Sequence, residues 1–136
     1  MDEAAVVKYI TDTFERVETV TASGATFFFY DSERKFPFAT LVTNDEHDQA
    51  SDLNRPGVFR LNVGVSKETF QTLFDPTEKH DFTALDKLMP HPVYGKMYWV
   101  CVLNPSPATF QAVQPLLAEA YELAVRKRSR ANPGNA

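Results

Sequence analysis

The stretch that decides the fold is SDLNRPGVFRLNVGV, residues 51–65, which runs from a polar loop through a Pro-Gly turn into an alternating strand. Side chains alternate between the two faces of a strand, and one face here carries four apolar residues, Phe59, Leu61, Val63 and Val65. We predict that these four face the helices of the domain. Val58, Arg60 and Asn62 fall on the opposite face, which favours either a polar-ligand site or a charged surface.

Hydrophobic periodicity on both sides of this strand predicts an α+β fold. The predicted helices are 3–16, 69–74 and 107–127, and the predicted strands are 17–21, 26–30, 38–43, 58–65 and 97–103. A helical turn is expected at 82–89. A bend or break is expected at Pro115, because proline removes a backbone donor and clashes with the preceding turn. Helices at both ends of a mostly antiparallel sheet of four or five strands describe a two-layer domain.

Length and composition indicate one domain over residues 1–136, with a flexible tail at 129–136. The formal net charge of −4 makes a nucleic-acid partner unlikely, because such proteins carry a basic footprint. The single cysteine, Cys101, suits a reducing compartment. The N-terminus has an acidic start, and no apolar run approaches the ~20 residues of a membrane helix. We therefore expect a cytoplasmic protein without a membrane partner.

Three motifs carry a resemblance over nearly the full length: Phe-Pro-Phe-Ala-Thr at 36–40, Asp-Leu-x-Arg-Pro-Gly-Val-Phe-Arg-Leu-Asn at 52–62 and Pro-His-Pro-Val-Tyr at 90–94. They are similar to an uncharacterised family of small bacterial proteins. The segment at 90–128, with its Trp-Val-x-Val-Leu strand and final helix, resembles the C-terminal part of MmcQ/YjbR-like proteins. This second resemblance implies a curved antiparallel sheet backed by helices, a fold for which DNA binding has been suggested. Neither family has an established reaction.

The candidate site consists of Arg60, Asn62, His91 and Tyr94. Arg60 and Asn62 lie two residues apart on one strand face, and a buried guanidinium needs a carboxylate or a ligand anion. His91 lies between two prolines, which restrict the backbone and hold the imidazole in place. The four side chains are expected to line one polar pocket if their strands are neighbours. The alternative, which we favour, is a structural ion pair between Arg60 and an acid such as Asp52.

Other polar residues have simpler interpretations. Asp45, His47, Asp48 and Asp52 match no calcium loop and no zinc signature, so we expect a solvated acidic loop and no metal. Arg55 can hold this loop through Asp52. His80 is interpreted as a surface residue and Cys101 as a small core residue. The sequence has no glycine-rich phosphate loop and no Cys-x-x-Cys pair, and we expect no cofactor.

Three functions follow from these patterns, in order of preference. The first is a binding or interaction module, whose partner is a small molecule or another protein. The second is a ligand-binding protein or enzyme with a polar site around Arg60 and His91. The third is DNA binding, by analogy with the fold alone. The sequence predicts no oligomeric state.

Overall fold

The structure is a computed structural model that describes residues 1–32 and 34–131. The three helices are α1 (Glu3–Thr13), α2 (Lys67–Leu73) and α3 (Pro107–Ala131). The six strands are β1 (Val17–Ala22), β2 (Ala25–Tyr30), β3 (Ala39–Val42), β4 (Arg60–Gly64), β5 (Met89–Pro90) and β6 (Trp99–Leu103). A short 3₁₀ turn, Gly95–Met97, precedes β6.

All six strands form one antiparallel sheet in the order β1-β2-β3-β4-β6-β5. The predicted α+β class is confirmed, with one strand more than expected because the two-residue β5 pairs at the edge beside β6. Strand β4 lies in the middle, where Asn62 is directly opposite Thr40 on one side and Cys101 on the other. The residues of the alternating stretch therefore occupy the centre of the sheet.

One face of the sheet, which we call the helical face, packs against α1 and α3. Its core contains Phe59, Leu61, Val63 and Val65, which confirms the predicted orientation. Helices α1 and α3 contribute to the same core with Val6, Ile10, Phe110, Val113, Leu116, Leu117 and Ala120. The apolar positions of the alternating β4 sequence therefore correctly indicate which face of the sheet the helices cover.

The opposite face, which we call the loop face, is covered mainly by the chain that joins β3 to β4. Leu53 and Val58 from this connection pack with Met89, Cys101 and Leu103. Arg60 and Asn62 project to the same side and are only 1% and 2% exposed. The face that carries the candidate site is therefore a second core rather than a solvated surface.

The predicted helical turn at 82–89 was wrong, and the predicted break at Pro115 is absent. Residues 82–89 form no helical turn, because the Asp81 carboxylate accepts hydrogen bonds from the backbone N–H and the hydroxyl of Thr83, and this local turn competes with a helix. Helix α3 continues through Pro115, so it has no break there, and the alternative of a bend stays a prediction. Pro115 and Gln111 lie on the exposed side of α3, where water can satisfy the carbonyl that proline leaves without a donor.

The predicted tail divides into two parts. Residues 129–131 continue α3, which ends four residues beyond the predicted 127. Residues 132–136 lie outside the described part of the chain. Within that described part, no helix is long and apolar enough to cross a membrane.

Candidate functional site

The Arg60 guanidinium is the centre of a buried polar network on the loop face. It binds the Asp48 carboxylate in a bidentate manner, with Nη1–Oδ1 and Nη2–Oδ2 distances of 3.0 and 2.6 Å. Nη1 also donates to Ser51 Oγ at 2.9 Å, and Nε donates to Asn62 Oδ1 at 2.9 Å. Four of the five N–H groups of the guanidinium thus have clear acceptors, and its charge is matched by one carboxylate.

The predicted ion pair of Arg60 is present, but its partner is Asp48 and not the expected Asp52. Asp52 has a left-handed backbone with φ of 52°, and its side chain is 61% exposed and 3.7 Å from Arg55. Asp48 instead reaches Arg60, and the hydrogen bonds from that guanidinium are the main reason why the pKa of the Asp48 carboxyl lies below its usual value. The difference lies in the path of the loop, which brings position 48 over the centre of the sheet.

Arg55 keeps this loop in place, as its position suggested. Its guanidinium donates to the carbonyl oxygens of Asp52, Ser51 and Thr83 at 2.8, 3.1 and 2.9 Å. A further bond runs from Leu53 N to Asp45 Oδ1 at 2.8 Å. The acidic loop thus delivers Asp48 and Ser51 to Arg60, while Glu46, His47 and Asp52 on its outer side are exposed, as expected of a solvated loop.

Asn62 extends the network across the sheet. Its Oδ1 accepts from Arg60 Nε, and its Nδ2 donates to Thr40 Oγ1 at 2.9 Å. Thr40 is its direct neighbour on β3, so the strand register explains the contact. These two bonds use the amide oxygen and one of the two amide N–H groups, and they determine the orientation of the side chain.

His91 is held in one tautomer by its own turn. Its Nδ1 accepts hydrogen bonds from the backbone N–H groups of Val93 and Tyr94, both at 3.0 Å. An acceptor nitrogen carries no proton, so in the neutral ring the proton lies on Nε2. Burial, helped by the charge of Arg60, lowers the pKa of His91 from 6.5 to about 4. His91 is therefore neutral at pH 7 and acts through Nε2 as a donor.

His91 Nε2 lies 3.4 Å from Arg60 Nη2. Because Nε2 carries a proton and a guanidinium nitrogen cannot accept, this contact is a juxtaposition of two donors and not a hydrogen bond. In the described ranges, neither this imidazole N–H nor the fifth guanidinium N–H has a carboxylate or carbonyl acceptor. A single acceptor atom placed between them can receive both.

These donors form the floor of a cavity of about 430 Å³. Tyr94 stands at its side, 50% exposed, with its ring centroid 5.0 Å from that of His91. The structure therefore brings Arg60, Asn62, His91 and Tyr94 together around one cavity. The remaining wall consists largely of apolar and aromatic side chains, among them Phe27, Phe36, Val42, Val93, Met97 and Trp99.

The sequence did not reveal the other members of this site. Asp48 and Ser51 belong to a loop without periodicity, and nothing in their spacing selects them. Thr40 and Trp99 could be found only from the strand register, which places Thr40 opposite Asn62 and Trp99 opposite Gly64. The sequence alone does not give that register.

Cys101 and His80 are separate from this chemistry. Cys101 is fully buried and donates to the Pro90 carbonyl at 3.6 Å, and burial raises the pKa of its thiol to about 12, so it is no nucleophile. The surface interpretation of His80 was wrong, since its side chain is 7% exposed and its ring lies between Phe74 and Phe82. Across residues 1–32 and 34–131, no group of three or more potential ligands is arranged to hold a metal ion.

Comparisons with known proteins agree with the resemblance to an uncharacterised family. A crystal structure of a protein from Pseudomonas syringae, solved by a structural genomics consortium, is similar with a TM-score of 0.60 and 14% identity. The match covers 91% of this chain and 99% of the other, and it shows a shared fold. No curated protein matches the chain. The likeness to MmcQ/YjbR-like proteins stays a prediction. A family model described as "Family of unknown function (DUF6194)" matches residues 1–133, and the chain belongs to that family.

Proposed function

For this member of DUF6194, we propose a small-molecule binding function at the cavity on the loop face. The ligand is a planar, uncharged molecule that presents a carbonyl-type acceptor to Arg60 and His91. The observation that supports this most is the pair of adjacent donors, Nη2 of Arg60 and Nε2 of His91, 3.4 Å apart. A volume of about 430 Å³ lies within the usual range of small-ligand pockets.

The charge of the site favours a neutral ligand. The Arg60 cation is already paired with Asp48, and His91 is neutral at pH 7, so the net charge of the floor is close to zero. A second carboxylate would lie near that of Asp48 and would lose its hydration without a free counter-charge. A carbonyl oxygen can accept from both donors at a much lower desolvation cost.

The walls favour a flat ligand body. Trp99 and Tyr94 line the cavity together with Phe27, and rings of this kind stack on planar groups. Tyr94 is half exposed and lies at the mouth, where it can close over a bound ring. The four predicted residues would thus divide the work: Arg60 and His91 bind the acceptor, Asn62 orients Arg60, and Tyr94 contacts the ring.

Binding is better supported than acid–base catalysis. A general base needs a free lone pair, and the only lone pair of the neutral His91 ring is engaged by two backbone N–H groups. Cys101 is buried and protonated. Neither His91 nor Cys101 therefore offers both a lone pair and an open path to a substrate proton.

The test uses three probes that share one phenyl ring: benzamide, benzoate and toluene. Titrations of the ¹⁵N-labelled chain should show that benzamide shifts the Trp99 indole and the Val93 and Tyr94 amides. Benzoate should bind about tenfold more weakly because of Asp48, and toluene should also bind about tenfold more weakly because it has no acceptor. Equal affinity for all three probes, or shifts elsewhere only, would contradict the proposal.

Two variants locate the binding. Tyr94→Ala removes a half-exposed ring from the mouth and should weaken benzamide binding without loss of fold. Leu85→Ala is the matched control, since Leu85 is 47% exposed and does not line the cavity. Equal effects of the two changes would place the probe outside this site.

A cytoplasmic location in a bacterium is also proposed. Its support is the free, buried thiol of Cys101, which needs no oxidising compartment. Fractionation of cells that express the full chain with a C-terminal tag tests it. Recovery of the protein in the periplasmic fraction would refute it.

A further inference from the structure

A second concavity lies at the end of the sheet, where β2, β4 and α3 end and β6 begins. It has a volume of about 620 Å³, and we call it the basic groove. Its floor and walls are mainly apolar and include Phe29, Phe36, Phe38, Val65, Met97, Trp99, Ala120, Leu123 and Ala124. It adjoins the cavity of the loop face at Phe36, Pro37, Met97 and Trp99, which line both.

The rim of the basic groove is cationic. Five positive side chains line it, and none of the described residues that line it is an acid: the five are Arg34, Lys35, Lys67, Lys127 and Arg128. This is unexpected in a chain whose net charge is −4. Such a local excess of one sign creates a field that attracts the opposite charge.

Three of these cations have no ion pair with any residue in the described ranges. Arg34 lies 3.6 Å from Glu18, and Arg128 lies 3.2 Å from Asp31. Within the described ranges, Lys35, Lys67 and Lys127 form no ion pair with a carboxylate, and Lys127 Nζ lies 5.8 Å from the Phe36 ring centroid. The rim thus carries ammonium groups that no described carboxylate neutralises, directly beside exposed apolar surface.

Two large apolar side chains are exposed at the mouth of the groove. Phe36 is 72% exposed and Met97 is 62% exposed, and both border the groove. Exposed apolar side chains that adjoin one another generally mark an interaction site. An apolar trough with a cationic rim is complementary to a molecule with an anionic head and an apolar tail.

We propose that the basic groove binds a monomeric anionic amphiphile, a carboxylate with a single long alkyl chain. The chain occupies the trough over Phe38 and Val65, and the carboxylate lies among Lys35, Lys67 and Lys127. This site is distinct from the donor pair at Arg60 and His91, because its charges and most of its lining residues belong to a different part of the sheet, although four lining residues are shared.

Titration of the full chain with dodecanoate, below its micelle-forming concentration, tests the proposal. Trp99 is the only tryptophan and lines the groove, so its emission should shift in a saturable way. Dodecyltrimethylammonium carries the same tail with a positive head, and it should bind at least about tenfold more weakly. Equal binding of the two amphiphiles would overturn the proposal.

Charge reversal locates the head group. Lys35→Glu with Lys67→Glu should weaken dodecanoate binding about tenfold, since each exposed ion pair contributes little alone. Lys79→Glu with Lys87→Glu is the matched control, as both lysines are exposed and outside the groove. Equal weakening by both double variants would show non-specific attraction and would overturn the proposal.

Two further arms exclude other ligands. Vesicles of phosphatidylglycerol that bind when monomeric dodecanoate does not would assign the surface to a membrane. A thymidine dodecamer that binds more tightly than dodecanoate would assign it to single-stranded nucleic acid, whose bases also stack on aromatic rings. Either outcome overturns the proposal. Benzamide binding should be unchanged in the Lys35→Glu, Lys67→Glu double variant. Failure of dodecanoate to bind would therefore overturn the proposal for the basic groove without contradicting the one for the loop-face cavity.

Discussion

The two faces of β4 are equally buried, but one is covered by apolar packing and the other by a polar network. Leu61 on the helical face is 0% exposed, and Arg60 on the loop face is 1% exposed. Leu61 is buried by any apolar surface that fits it, whereas Arg60 needs Asp48, Ser51 and Asn62 in defined positions. Burial alone therefore does not distinguish a packing residue from a site residue; the chemistry of the partners does.

The difference has a consequence for robustness. Apolar cores tolerate changes that keep volume and pattern, because van der Waals contact has little directionality. A buried polar network loses more when one member is removed, because the remaining groups are left unsatisfied in a low-dielectric environment. The loop face should therefore respond to single substitutions that the helical face absorbs.

The largest effect is expected from Asp48→Asn. This change keeps the shape of the side chain but leaves the buried Arg60 guanidinium without a counter-charge, which should cost about 3–5 kcal/mol of unfolding free energy. Urea unfolding followed by Trp99 emission measures it. The matched control is Asp52→Asn, whose carboxylate is 61% exposed and should cost at most about 1 kcal/mol. Similar costs for the two would remove the special role of position 48.

Methionine substitutions at adjacent positions compare the two faces directly. Leu61→Met nearly conserves volume on the helical face and should cost less than about 1.5 kcal/mol. Arg60→Met on the loop face leaves Asp48 and Asn62 without their donor and should cost about 3 kcal/mol. The same urea measurement applies. A reversed order would mean that the ion pair contributes little and that packing dominates both faces.

Acid should weaken the loop face in two steps. In the folded chain the pKa of His91 is lowered from 6.5 to about 4. Between these two pH values, His91 is therefore protonated in the unfolded chain and neutral in the folded chain. Stability is therefore lost as the pH falls from 6.5 to 4, by about 3 kcal/mol. The pKa of Asp48 is lowered from its usual 3.8 in the folded chain, so its ionised form stabilises the fold at pH values above 3.8. This contribution is lost as the pH falls below 3.8, which is the second step.

His91→Asn isolates the first step. Asparagine can still accept from backbone N–H groups in such a turn but does not titrate, so the loss between pH 6.5 and 4 should largely disappear. Equilibrium unfolding across this range checks it. His47→Asn changes an exposed histidine of the same loop-face cavity and serves as the control. An unchanged profile in His91→Asn would contradict the neutral, buried state of this ring.

The smallest effect concerns the contact between Gly64 of β4 and Trp99 of β6 in the basic groove. A Cβ at Gly64 would lie 3.0 Å from Trp99 Cε2, so the indole must give way by a few tenths of an ångström. Gly64→Ala should cost about 1 kcal/mol, because mild overpacking is partly offset by the lower entropy of the unfolded chain. Trp99 emission should shift at the same time. An unchanged spectrum would show that the indole is not held against β4.

Sequence patterns predicted the helical face better than the loop face for a physical reason. The alternation of Leu61 and Val63 records burial by a general apolar surface, and period two is visible without any partner. Asp48 is one of several acids in its loop, and its pairing depends on a chain path that no periodicity encodes. His91 was identified because two prolines constrain it, while its tautomer depends on backbone donors that only the folded turn supplies.

The protonation of the His91 ring tests the central claim most directly. ¹⁵N NMR of the folded chain at pH 7 distinguishes a nitrogen that carries a proton from one that does not. We expect the proton on Nε2 and none on Nδ1, which leaves two donors side by side on the cavity floor. A proton on Nδ1 with a bare Nε2 would contradict this account, since Nε2 would then accept from Arg60 and the floor would have no free donor.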